Sequence, residues 1–592
     1  MKLLTLGLID ISPVFKRNMI FHLRWLSSSS VTCLKRYAEC TDSSERSSIP
    51  CNFFKSHAIE KARWRVKDTL LRMGIISPPS ANKSNSRKKV VILGTGWGFA
   101  AFAPRLDIYK HDICVISPHK AFYFTPLLTH IISGRLPNRV CEEPIETFTF
   151  RGKHEVMKHI LGNAIEIDGG NKQIVYMDES TKSTHKLPYD YLVINVGSAN
   201  ATFIPGIKEY ALYLRNVEDS LKIRAAVLSQ IDEVFKEWNT LEDDQKRRKL
   251  SFIVAGGGPT GVEVAGAFAE LVKSLLEEEK YGHLQPFISI KLIEMSPKLL
   301  PTTGDNIPEY AKYILGNKAK VKLLLRTKLL KVGPDSVQVQ YQDKTEENIP
   351  YGVFVWASGA SPSELTKHIC ETIPEQSKNP RAINVDEKLR VIGLQYVYAL
   401  GDCALVTPKK LSSSWESIFQ KAQKHSYGPS VDYLRHIMLS SEFPQLVNLP
   451  FVKDLPENSK TLTAEEFRDL LIKVDELYHP PPPTAQGASQ QGRYLAGIFN
   501  NYLTEAEKQR CDAFLYNWRG SSCYIYDDNI AFYSPYFSLL GGLHTKLFWQ
   551  IIYASMEPSW GAMYTLVKAW LSYAFKFPQY FPKSQCTSRL SD

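Results

Sequence analysis

A chain of 592 residues with 44% apolar side chains is long enough for several domains and too apolar to be generally disordered. Its formal net charge of +11 is spread between the N-terminal region and the C-terminal end, which suits an anionic membrane better than nucleic acid. None of the ten cysteines forms a Cys-x-x-Cys, so a zinc ribbon, an iron–sulfur cluster, a vicinal redox disulfide and a disulfide-rich secreted fold find no support.

The chain opens with Lys2, Lys16, Arg17, Arg24, Lys35 and Arg36 against one acid, Asp10, within its first 38 residues. Apolar and basic residues interleave there and serines cluster at 27–30, the composition of a mitochondrial presequence; a disordered basic tail is the alternative. Residues 59–77 are expected to form an amphipathic helix, and 78–88 a Ser/Pro/Asn linker.

Chemistry starts at Lys89. Val90–Leu93 is a buried-strand pattern that runs into Gly94-Thr95-Gly96-Trp97-Gly98-Phe99, a dinucleotide turn. Phe99 occupies the third glycine position, where a bulky side chain is expected to crowd helix against strand, with Gly98 relieving this in part. The next strand, Asp112–Ile116, ends at Ser117-Pro118, and the aromatic-rich segment Phe122–Leu128 follows with Phe124 and Thr125. Tyr191–Gly197 reads as a strand leaving this first domain at a glycine.

The second turn is the stronger one. Phe252–Ala255 is apolar, and Gly256-x-Gly258-Pro259-Thr260-Gly261-x-Glu263 opens a helix-like pattern. Gly256 permits a tight turn, Gly258 lets the backbone approach a pyrophosphate, and Gly261 lets helix and strand pack closely. The phosphates would face free N–H groups at the helix start. A second apolar run, Phe287–Ile293, ends at Glu294, where the nucleotide ribose should be read. Val353–Gly359, with Ser358 and Gly359 at its end, reads as a strand leading back to the first domain. Tyr396–Leu400 then ends at Gly401-Asp402. An acid there can accept hydrogen bonds from the ribityl hydroxyls of a flavin, or merely cap a turn; beside two nucleotide turns the flavin reading is preferred.

This order predicts an α/β fold of two Rossmann-like dinucleotide-binding domains, the second inserted in the first. The expected segments are 1–88 (presequence and extension), 89–215 and 351–404 (first domain), 216–350 (second domain), 405–482 (insertion), 483–515 and 516–592.

At this point the chain resembles the type II NADH:quinone oxidoreductases (alternative NADH dehydrogenases) over about 89–404 and 483–575. The most specific match is Pro483-Thr-Ala485-Gln486-Gly-Ala-Ser-Gln490-Gln491, similar to the Ala-Gln-x-Ala-x-Gln signature by which that family lines its quinone site. The resemblance implies non-covalent FAD on the first turn, NADH on the second, and a membrane quinone as acceptor. FAD is expected against Gly94, Thr95, Gly96, Trp97, Gly98, Ser117, Pro118, Phe124, Thr125, Gly197, Gly401, Asp402, Ala485 and Gln486. NADH is expected against Gly256, Gly258, Pro259, Thr260, Gly261, Glu263 and Glu294, with Ser358 and Gly359 between the two. Phe99, His119-Lys120 and Thr129 depart from the family pattern.

The expected roles follow. Glu294 bonds the ribose and repels the extra phosphate of NADPH. Glu263 assists proton delivery to quinone and nicotinamide placement, or satisfies the helix N-terminus. Gln486 and Gln490, on one face of a helix, bond quinone carbonyls or flavin edges. No metal site is expected: residues 455–467 echo a calcium loop, but Leu455 and Lys460 stand where Asp and Gly belong.

Near the C-terminus no stretch offers about 20 uncharged apolar residues, so no spanning helix is predicted. Trp560, Met563, Tyr564, Val567, Trp570, Leu571, Ala574 and Phe575 recur at helical spacing, opposite Thr565, Lys568, Ser572 and Lys576. This is an amphipathic helix fit to lie in a membrane surface; packing on its own core or on a partner in a homodimer is the alternative. The sequence thus predicts a non-proton-pumping NADH:quinone oxidoreductase of the respiratory chain, peripheral to the mitochondrial inner membrane and drawing on its quinone pool. Two readings compete. A sulfide:quinone oxidoreductase needs paired cysteines, for which Cys141, Cys370 and Cys403 are scattered candidates. A redox-sensing flavoprotein like apoptosis-inducing factor would bind NADH and act through partners.

Overall fold

The strand Lys88–Leu93 is the centre of the first domain. Its Val90, Val91, Ile92 and Leu93 are fully buried, as expected of a strand covered on both faces. The computed structural model describes residues 87–574 apart from 153, 302, 305, 378–379, 439–460, 503–507, 509–510 and 535. The presequence, the 59–77 helix, the linker up to residue 86, the start of the calcium-like loop, and Phe575 and Lys576 lie outside the described residues.

Lys88–Leu93 pairs in parallel with His111–Ser117 on one side and Tyr191–Ile194 on the other. Beyond Tyr191–Ile194 lies Val397–Ala399, from far along the chain; beyond His111–Ser117 lie Met157–Asp168 and two antiparallel strands, giving seven in all. The second domain has its own parallel sheet, ordered Lys322–Leu324, Ser289–Ile293, Ser251–Ala255, Val353–Trp356.

Val353–Trp356 therefore closes the second sheet rather than leading into the first, and the expected boundary at 351 falls inside the second domain. Its run of apolar residues could serve either sheet; pairing with Ser251–Ala255 decides it. The chain crosses between domains where Ser198–Asn200 pairs antiparallel with Ala360–Pro362. Two glycines open the nucleotide turns in conformations closed to most side chains, Gly94 at φ 91° and Gly256 at φ 119°.

Phe99 does not hold helix and strand apart. It is fully buried, its ring 5.3 Å from that of Phe148. Gly98 makes the close approach instead: a Cβ there would sit 2.4 Å from Asn195 Oδ1 and 1.9 Å from Leu400 Cδ1. The short first-turn helix Trp97–Phe102 is covered by Ala485–Asn501, where a Cβ on Gly492 would lie 2.5 Å from the Gly98 carbonyl oxygen.

The insertion contributes helices Trp415–Gln423, Val431–Met438 and Ala464–Leu477, with a small core around Ile418, Leu434, Phe467 and Leu471. Glu466, the last ligand position of the calcium-like loop, instead closes a capping box: its carboxylate accepts the Thr463 N–H at 2.9 Å.

The C-terminal part adds a three-stranded antiparallel sheet, Ser521–Tyr526, Asn529–Tyr533 and Ser538–Leu540. It lies on the second-turn helix Pro259–Leu276, so close that a Cβ on Gly266 would stand 1.7 Å from the Ile525 carbonyl oxygen. A buried charge cluster fastens it there. Arg135 donates to Glu270 at 2.8 Å, to Asp528 at 2.8 Å and to Asp527 at 3.3 Å, while Tyr524 donates to Glu270 at 2.8 Å. Each buried charge is thus opposed, which offsets part of its desolvation cost.

Helix Gly542–Met556 follows, a segment not expected from the sequence. It buries Thr545, Trp549 and Tyr553 and exposes Leu543, Leu547 and Ile551 at the same spacing. Helix Trp560–Ala574 buries Ala562, Leu566, Ala569 and Ser572, so Ser572 faces inward rather than joining the expected polar stripe; the tight contact admits a small residue whose hydroxyl a helix can absorb. Its outward face carries Trp560, 82% exposed, with Tyr564, Val567 and Leu571. Among the described residues no helix is long and apolar enough to cross a membrane.

Candidate active site

Both nucleotide turns open into one cleft of about 1520 Å³. Both turns are formed where strands end and helices begin, the position at which parallel sheets bind ligands. On the first-domain side Gly94, Thr95, Gly96 and Trp97 line it, with Ser117, Pro118, Thr125, Gly197, Gly401 and Asp402. On the second-domain side stand Pro259, Thr260, Glu263, Ser358 and Gly359, and Ala485 comes from the helix that covers the first turn.

Gly98, Phe124, Gly256, Gly258, Gly261 and Glu294 are not on this wall. Gly98, Gly256 and Gly261 act behind it through close packing: a Cβ on Gly261 would meet the Gly256 carbonyl oxygen at 1.8 Å. A Cβ on Gly258 would meet nothing within 4 Å, leaving the backbone open to a ligand. Phe124 is buried behind Trp97, ring centroids 5.1 Å apart. The Glu294 carboxylate ends its strand accepting N–H groups of Gly257 and Ser296, beside the second turn.

The turn is braced by hydroxyls. Thr95 Oγ1 and Ser117 Oγ are 3.0 Å apart, Ser117 Oγ accepts the His119 N–H at 3.1 Å, and Trp97 Nε1 donates to Thr125 Oγ1 at 3.0 Å. Asp402 accepts from Ser198 Oγ at 3.4 Å. Burial raises the Asp402 carboxyl above its usual range, and the nearby Arg215 guanidinium opposes that. Arg215 itself holds the crossover, donating to Asn200 Oδ1 at 2.7 Å and to the Ala199 carbonyl at 2.7 Å.

Gln486 and Gln490 are on one helix face, and both hydrogen-bond the backbone of a neighbouring segment. The Gln486 amide accepts the Arg519 N–H at 2.8 Å and donates to the Gly520 carbonyl at 3.2 Å. Gln490 accepts the Asn517 N–H at 2.9 Å and donates to its carbonyl at 2.8 Å. The pair clamps the 517–520 backbone, while Ala485 and Ala488, turned toward the cleft, leave room in it. The third glutamine of the motif does reach the site: buried Gln491 accepts the Gly401 N–H at 2.7 Å, setting the turn that carries Asp402. Sequence reading passed over it because nothing local links it to a residue 90 positions earlier.

Glu263 is half-buried on the cleft wall and does not cap its own helix. Its carboxylate accepts the Tyr524 N–H at 3.2 Å. Burial pushes its carboxyl up to about 8, against the Tyr524 N–H and the Cys523 thiol, which favour the ionised form. Ser522 and Tyr553 line the same end of the cleft.

The cleft also has the features a flavin nucleotide needs. Asn195 Nδ2 and Thr129 Oγ1, on two cleft-lining residues, are buried without a hydrogen-bond partner, and the first turn's glycine backbone is open on the cleft side. Buried polar atoms without partners are costly unless a ligand meets them.

These features define a two-nucleotide oxidoreductase, and the chain belongs to the pyridine nucleotide-disulphide oxidoreductase family, which matches residues 88–425. More particularly, it is 30% identical to the external alternative NAD(P)H-ubiquinone oxidoreductase B4, mitochondrial, of Arabidopsis thaliana, over 82% of this chain and 87% of that one. It is 29% identical to the B2 protein of the same plant over 88% of this chain and 96% of that one. Among solved structures, NDH2 of Plasmodium falciparum in complex with NADH has a TM-score of 0.77 at 32% identity, covering 83% of this chain and 99% of that one. The sulfide:quinone oxidoreductase of Aquifex aeolicus, at 14% identity and a TM-score of 0.52, shares the fold.

Proposed function

We propose that the protein oxidises NADH and reduces a membrane quinone, with FAD between them, as a non-proton-pumping NADH:quinone oxidoreductase. The observation that carries this reading is the single cleft joining both turns to Glu263, whose carboxyl burial raises to about 8. When bound, FAD accepts hydride from NADH and returns two electrons to the quinone. The residues do the rest. The first turn and Gly401-Asp402, steadied by Gln491, hold the flavin; the second turn and Glu294 hold the dinucleotide; Glu263 holds a proton beside the reacting end of the cleft. Cys141, Cys370 and Cys403 do not line the cleft, which disfavours the sulfide-oxidising alternative.

We infer that the quinone is ubiquinone and the compartment the mitochondrion, as in the names of the curated relatives, and that the protein works at the inner membrane, where such a quinone dissolves. Docking rests on two helices with apolar outward faces, Leu543, Leu547 and Ile551 on one and Trp560, Tyr564 and Leu571 on the other. The occupant we favour is the lipid surface, because the acceptor dissolves there; a second copy of the chain is the competing occupant. Flotation with liposomes of mitochondrial lipid composition tests it. Co-flotation is expected, and a detergent-resistant dimer that stays with the soluble fraction would overturn it.

A further inference from the structure

Reduction of a quinone to a quinol consumes two protons, and Glu263 holds one. The same end of the cleft offers a second group. Tyr553 projects from the buried face of helix Gly542–Met556, 7% exposed, with its ring 4.4 Å from that of Trp549 and 6.1 Å from that of Phe124. Its hydroxyl lies 3.1 Å from Ser522 Oγ, and both residues line the cleft with Glu263. A phenol wedged between aromatic rings needs no hydroxyl for packing; this one is aimed at a serine on the cleft wall, next to the solvent-exposed Ser521. The opposite face of the same helix carries Leu543, Leu547 and Ile551, the exposed row that would meet the lipid. The hydroxyl is thus delivered by the element closest to where an apolar acceptor would enter.

We propose that Tyr553 is the second proton donor in quinone reduction, refilled from water through Ser522, an inference that rests on the function proposed above. The balance is simple. The quinone gains two electrons that NADH supplies through the flavin, one proton from the Glu263 carboxyl and one from the Tyr553 hydroxyl. The phenolate left behind is refilled from water through Ser522, which gives its proton and takes one from water in the same relay. The proton that the hydride brought in, released as the two electrons leave, returns to Glu263, so one proton is taken from water per quinone reduced. The titratable groups that face Tyr553 are Glu263 from the second-turn helix and Cys523 from the C-terminal strand, and both act with burial to keep the phenol protonated until a stronger base arrives. The quinone oxygen becomes that base only as electrons reach it, so the proton moves late.

The test uses the full-length flavoprotein. Tyr553→Phe keeps the ring and removes the hydroxyl. Flavin bleaching by NADH and electron transfer to ferricyanide, which takes no proton, are expected to stay at wild-type rates. Turnover with a short-chain ubiquinone is expected to fall about a hundredfold in kcat, the low end for a positioned proton donor. Its KM should stay within about twofold, while the solvent deuterium isotope effect on the quinone step rises because proton transfer becomes limiting. Ser522→Ala should give the same pattern in weaker form, and it decides the matter where Tyr553→Phe does not retain flavin. Unchanged quinone turnover and isotope effect, or equal losses with quinone and ferricyanide, overturn the proposal. A wild-type protein whose flavin NADH does not bleach would instead defeat the underlying function.

Discussion

Glu263 Oε1 accepts the backbone N–H of Tyr524 at 3.2 Å, across 261 positions of sequence. One bond thus ties the helix that starts at the dinucleotide turn to the C-terminal strand that borders the proposed lipid-facing helices. The acid that holds a proton for the acceptor is set in place by the segment that would bring the protein to that acceptor.

The raised carboxyl of Glu263 sets a pH dependence. A carboxyl that ionises near 8 donates below that value and fails above it, so quinone turnover should decline as pH rises through about 8. Glu263→Gln should slow the quinone step by about a hundredfold below pH 8, flatten that decline, and leave flavin reduction by NADH near wild type. Stopped-flow measurement of each half-reaction checks it.

The same shift enters folding. A carboxyl raised above its unfolded value of 4.5 contributes stability that is complete below 4.5 and lost as pH climbs to about 8. Above pH 8 the wild type carries a half-buried charge that Glu263→Gln does not, so the variant should melt at the higher temperature there and lose that advantage below 4.5. Melting curves across this range decide it.

Two glycines of one helix separate the donor and acceptor sides. Gly261→Ala places a Cβ 1.8 Å from the Gly256 carbonyl oxygen and should weaken NADH binding more than tenfold or unfold the turn. Gly266→Ala places one 1.7 Å from the Ile525 carbonyl oxygen and pushes off the strand that holds Glu263, so it should damage quinone reduction more than NADH binding. Titration with NADH and steady-state quinone kinetics distinguish them.

The nucleotide turns, their strands and the Gly401-Asp402 pair could be read from sequence because each is local: glycines a few positions apart, a short apolar run, one acid at its end. The strand Val353–Trp356 reads as leading to the first sheet but pairs in the second, because a buried parallel strand is apolar on both faces and carries no mark of its neighbour. Gln491, Ser522, Tyr553 and the Arg135–Glu270 cluster were not legible at all. Their partners lie elsewhere in the chain, and helix Gly542–Met556 is so broadly apolar that its inward and outward rows differ little in type.

The glutamine motif gives a sharp comparison. Gln491→Ala leaves the Gly401 N–H without its acceptor, costing about 1–3 kcal/mol at the flavin turn, and should lower flavin retention. Gln486→Ala and Gln490→Ala release the 517–520 backbone and the Tyr516 hydroxyl and should lower the melting temperature with little change in the flavin spectrum. Absorbance spectra and flavin content of the three purified variants show which glutamine serves the cofactor.

Replacing Leu547 and Ile551 with Lys should abolish liposome binding, since each apolar side chain withdrawn from lipid forfeits about 1.5–3 kcal/mol. Turnover with a water-soluble quinone should be retained, as neither residue lines the cleft. Flotation and kinetics on the same preparation check both halves.

The most direct measurement is an anaerobic titration of the purified protein, first with NADH and then with ubiquinone, following flavin absorbance. One equivalent of NADH should bleach a bound yellow chromophore, and one equivalent of quinone should restore it. A colourless protein that takes up no flavin, or a flavin that NADH leaves oxidised, would contradict the account.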